Sequence, residues 1–77
     1  MNIIHLRAMK VGSEGRITAI KAEGELGRRI RDLGLIPGAQ VSVVGRAPLQ
    51  DPVALRLSGV TVMLRNNEAD HILVEVN

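Results

Sequence analysis

The residues best suited to hold a metal ion are His5, His71 and the carboxylate beside the second, Asp70. A transition-metal site draws about four nitrogen, sulfur or oxygen ligands to one point. Here the two histidines lie near opposite ends of the chain and not at i,i+4 on one helix. No cysteine exists to join them, and sequence neighbours such as Asp70 and His71 point apart in a strand. Neither a metal site nor a cofactor is expected. Catalysis by a hydroxyl fares no better. Ser13, Thr18, Ser42, Ser58 and Thr61 fall beside turns or alternating apolar residues, none with a recognisable histidine partner. No glycine-rich segment followed by Lys and Ser or Thr offers backbone donors to a phosphate. The chain reads as a non-enzyme.

What remains is the chemistry of recognition. Arg28, Arg29 and Arg31 stand close together, with Leu26 just before them as a possible apolar anchor. The arginines are either solvated charges or rim residues that steer the protein onto an acidic patch, since such charges govern encounter more than affinity. Leu49 and Gln50 lie between Pro48 and Pro52. A segment stiffened by two prolines can present them to a partner at little entropic cost. Asp51 is suited to accepting backbone donors in that turn, and Glu68 to pairing with Arg65 or accepting turn donors of its own.

Composition narrows the partners. Hydrophobic residues make up 45% of the 77 and charged ones 23%, a balance that folds. Phe, Tyr and Trp are all absent, so the interior must be aliphatic and the rings that most often stack on bases are missing. The formal charge of +2 is spread without a long basic run, which disfavours nucleic acid while leaving a nucleic-acid-binding or transcription-linked small barrel as the alternative reading. Self-association through an open strand edge is a third possibility. The first residues lack the cationic flank and long apolar run of a signal peptide, and no stretch approaches a membrane span. A cytoplasmic protein without direct membrane insertion is expected.

These side chains need elements to position them. Gly12 and Gly15 mark a turn into a strand over 16–21. Leu26, Ile30 and Leu33 recur at helical spacing, predicting a helix over 25–33 with one core-facing side. Gly34 stands where a left-handed cap belongs, and Pro37-Gly38 makes a turn beyond it. The period then becomes two. Val41 and Val43, then Val53, Leu55 and Leu57, then Val60, Val62 and Leu64 after a Ser58-Gly59 turn, and finally Ile72, Val74 and Val76 predict short strands. The two prolines keep 47–52 out of any central strand, and 66–69 fits a turn or a single 3₁₀ turn. The expected fold is all-β: a small barrel of about five strands with one short inserted helix, a single domain over 1–77.

Leu33-Gly34-Leu35-Ile36-Pro37-Gly38, Val41-Ser42-Val43, Ala47-Pro48-Leu49-Gln50-Asp51-Pro52, Gly59 and Leu64-Arg65-Asn66-Asn67-Glu68-Ala69, in this order and spacing, closely resemble the FeoA family over about residues 6–76. The stretch from Leu26 to Gly34 is similar to the family's helix, with Ile30 in place of the commoner leucine. The resemblance implies an SH3-like barrel and an accessory role in bacterial ferrous iron transport. It also implies docking on the cytoplasmic nucleotide-binding region of the membrane transporter FeoB, without catalytic residues or a cofactor. Gln50 departs from the family, which usually has glycine before Asp51-Pro52. If that position needs a positive φ, glutamine stores strain there.

Overall fold

In a computed structural model that describes residues 2–77, the chain forms one antiparallel sheet of six strands with two helices. In chain order these are β1 (Asn2–His5), a 3₁₀ turn (Leu6–Ala8), β2 (Glu14–Ile20), α1 (Gly24–Asp32), β3 (Gln40–Arg46), β4 (Val53–Leu57), β5 (Val60–Leu64), α2 (Asn66–Ala69) and β6 (Ile72–Val76). The sheet order is β1-β6-β2-β3-β4-β5.

This corrects the expected all-β barrel of five strands and one helix. The sheet is open, with β1 and β5 as its two borders, and the fold is mixed α/β. The strand absent from the expectation is β1. Its burial pattern is almost wholly exposed, so no alternation betrays it, and it is held by its ladder to β6, with Asn2 opposite Val76 and His5 opposite Leu73. The second helix, α2, is one α-turn where a turn or a single 3₁₀ turn was expected. It forms because the Glu68 carboxylate accepts the Arg65 backbone N–H at 3.0 Å and Ala69 is drawn fully into the core.

The interior is aliphatic, as a chain without aromatics requires. Leu6, Ile17, Ile30, Leu35, Val41, Val43, Val53, Leu55, Leu64, Ile72 and Val74 are all essentially inaccessible. In β4 the alternation is plain: Val53, Leu55 and Leu57 face inward while Arg56 is exposed. On α1, Ile30 enters the core and Leu26 packs partly against it. Leu33, expected on the same face, is instead 41% exposed, and Leu35 takes the interior position. The cause is a Schellman motif. Gly34 adopts φ +95°, its N–H donates to Arg31 O at 2.9 Å, and Leu35 N–H donates to Ile30 O at 3.3 Å. The chain reverses there and folds Leu35 back over Ile30.

Two register shifts bend the sheet, one in β2 against β6 and one in β3 against β4. The second has a consequence for the surface. Val43 pairs with Leu55, but Gly45 pairs with Ala54 and Arg46 with Val53, so Val44 is the extra residue. Without the bulge, alternation from Val41 and Val43 would send Arg46 to the outer face. With it, Arg46 shares the inner face with buried Val53, at the end of the sheet.

Candidate partner-binding surface

Arg46 organises one end of the molecule. Its Nη2 donates to the backbone carbonyls of Arg7 at 2.7 Å and Met9 at 3.0 Å. Its Nη1 donates to Gln50 O at 3.3 Å and to Asn66 Oδ1 at 3.4 Å. One planar guanidinium thus ties together the 3₁₀ turn, the loop at 47–52 and α2, a fork that only arginine supplies. Asn66, nearly buried, donates from Nδ2 to Gln50 O at 2.9 Å, and its backbone N–H is accepted by Asp51 Oδ1 at 3.0 Å.

The loop is therefore fixed from within. Gln50 N–H closes a turn on Ala47 O at 2.8 Å, and Ala47 N–H donates to Pro52 O at 3.1 Å across its base. The Asp51–Pro52 peptide bond is cis. Gln50 has φ +67°, the left-handed region that glycine occupies without penalty. Leu49, at the tip, is 90% exposed. Pro48 and Pro52 flank these residues as the sequence requires, and Asp51 reaches past its own turn to the start of α2.

The arginines of α1 are placed differently from one another. Arg28 pairs with Glu25 on the exposed face. Arg29 donates to Glu68 Oε2 at 2.8 Å, and that carboxylate's side chain is only 6% exposed. Arg31 faces solvent. Glu68 consequently joins α1 to α2 while its other oxygen caps Arg65, where the sequence suggested only a local partner. Leu26 borders a separate hollow with Ile20, Ala22 and His71. Helix and loop do not share one concave site, although both lean on α2. Gly34, Pro37 and Gly38 lie together in a third hollow, and Gly59 with Ser58 forms the β4–β5 turn, both at positive φ.

The potential metal ligands do not converge. Asp70 pairs with Arg7 at 3.0 Å, and His5 Nδ1 lies 3.0 Å from the Asp70 carbonyl oxygen. Among the described residues no group of three His, Cys, Asp or Glu could hold an ion.

Three residues escaped the sequence reading. Arg46 belongs to no motif that the sequence singles out. Lys10 and Val11 carry no motif in the sequence, yet the structure sets them beside Arg46, Leu49 and Gln50 around one shallow depression floored by Met9 and Asn66. The turn is held by Ser13 N–H donating to Lys10 O at 3.0 Å and Gly12 N–H donating to Val43 O at 2.8 Å.

Comparison with known proteins places this geometry. The solution structure of a FeoA-like protein from Clostridium acetobutylicum is 38% identical, covers 99% of this chain and 88% of its own, and superposes with a TM-score of 0.90. That of FeoA from Chlorobium tepidum is 37% identical, with 95% and 70% covered and a TM-score of 0.87. A Fe(2+) transport protein A/Fe(2+) transporter FeoB fusion protein from Porphyromonas gingivalis is 33% identical over 73 residues. That match takes in 95% of this chain but only 9% of the fusion protein's length. The FeoA domain model matches residues 4–76, nearly the whole sequence, and with these likenesses it establishes that the chain belongs to the FeoA family.

Proposed function

We propose that the chain is an accessory subunit of ferrous iron uptake that docks on the cytoplasmic nucleotide-binding region of a FeoB-type transporter. The observation that carries this is the fusion protein, in which a segment like this chain and a FeoB transporter form one polypeptide. A covalent tether raises the effective concentration of two modules that work together. The site itself suits recognition: a loop fixed by internal hydrogen bonds, with an exposed leucine at its tip. No helix among the described residues is long and apolar enough to cross a membrane, so attachment would run through the partner.

Docking would act by preferring one state of the nucleotide-binding region over another, because a bound partner shifts an equilibrium only through its differential affinity. The test is ferrous uptake in cells with the gene deleted, under ferrous-dependent growth, alongside affinity capture by the tagged protein. Reduced uptake and retention of the transporter are expected. Unchanged uptake with no transporter retained would refute the reading.

A further inference from the structure

Within that docking reading, we infer that the depression between the turn carrying Lys10 and Val11 and the loop carrying Leu49 binds an acidic, aliphatic segment of the protein partner. Two apolar side chains stand up on either side of it: Val11, 57% exposed, and Leu49, 90% exposed. Each is held on a hydrogen-bonded turn, so neither gains from burial within the chain and both are ready to bury against something else.

The charge between them is positive. Arg46 donates only to neutral oxygens, those of Arg7, Met9, Gln50 and Asn66. Lys10 has no ion pair among the described residues. Arg7 at the rim shares its charge with Asp70, and Asp51 directs one carboxylate oxygen to the start of α2. Two cations without a carboxylate partner, framed by two aliphatic side chains, complement a peptide that carries Asp or Glu beside Leu, Ile or Val. The arginines of α1 offer less, because Arg28 and Arg29 already hold Glu25 and Glu68. A nucleic acid would meet two greasy prongs and no ring on which to stack a base.

The test is a titration of the isotopically labelled full chain with the purified cytoplasmic region of a FeoB-type transporter, followed by amide NMR. Perturbations are expected at Lys10, Val11, Leu49 and Gln50. The exposed-residue variants Leu49→Ser and Lys10→Glu should each weaken binding about tenfold or more, the first by losing one buried leucine and the second by setting like charges against each other. Their thermal midpoints should stay unchanged, and binding by the unaltered chain should weaken as salt is raised. Perturbations confined to α1 or to the β5 border, or two variants that bind within about twofold of the original, would overturn this surface while leaving the docking reading intact. No binding by the transporter region at all would overturn both. A single-stranded oligonucleotide that perturbs the same amides as strongly would overturn the assignment to a peptide.

Discussion

Replacing Arg46 by alanine removes one side chain and four hydrogen bonds that join three segments. The two bonds to Arg7 O and Met9 O, at 2.7 and 3.0 Å, have good length, whereas those to Gln50 O and Asn66 Oδ1, at 3.3 and 3.4 Å, are long. A hydrogen bond from a charged donor contributes about 1.5–3 kcal/mol net. Counting the two short bonds at the lower bound and the long pair at little gives a loss of about 3 kcal/mol. A chain of this size has about 4–12 kcal/mol in total, so the change should be plain. It corresponds to a fall in Tm of about 10–25 °C. With no Trp or Tyr, intrinsic fluorescence is silent, and urea unfolding must be followed by far-ultraviolet circular dichroism. Arg46→Lys should recover less than half of the loss, because a single ammonium cannot span both pairs of acceptors. A loss under about 1 kcal/mol for Arg46→Ala would show that the guanidinium decorates this end of the sheet without holding it together.

Other substitutions separate local from tertiary effects. Gln50→Gly should stabilise by about 0.5–1 kcal/mol in urea unfolding, since φ +67° penalises glutamine and the flexibility of glycine in the unfolded chain returns only part of the gain. Gly27→Ala should cost about 2 kcal/mol or more, although alanine is the better helix former, because a Cβ there would overlap the Ala22 carbonyl oxygen. Thermal melts would show it. Arg29→Glu faces a second carboxylate toward nearly buried Glu68 and should destabilise by about 1–3 kcal/mol, whereas Arg28→Glu, on the exposed face, should change stability by less than about 0.5 kcal/mol. A loss of transporter binding by Arg29→Glu is therefore interpretable only beside its melting curve.

The parts that were legible in the sequence are those whose cause is local. Val53, Leu55 and Leu57 alternate, and β4 follows. The Ser58-Gly59 pair takes positive φ at both residues, and the hairpin follows. The parts that were hidden depend on residues far apart in the chain. Periodicity alone extends the core face of α1 to Leu33, but the reversal at Gly34 gives the interior to Leu35. Alternation sends Arg46 outward, and only the pairing of β3 with β4 reveals the extra residue that turns it in. Glu68 sits one turn from Arg65 in sequence, while its strongest partner, Arg29, belongs to another helix. The candidate surface was half visible for the same reason: Leu49 and Gln50 announce themselves between prolines, whereas Lys10 and Val11 join them only through the fold.

The ladder between β1 and β6 also governs how this unit can be wired into a longer polypeptide. Because Asn2 faces Val76 across adjacent antiparallel strands, the backbone enters and leaves at a single corner, about 5 Å apart. A tether spliced to either end thus departs from nearly the same point. A circular permutant closed by a few glycines and reopened at Ser58-Gly59 should keep every strand pairing intact.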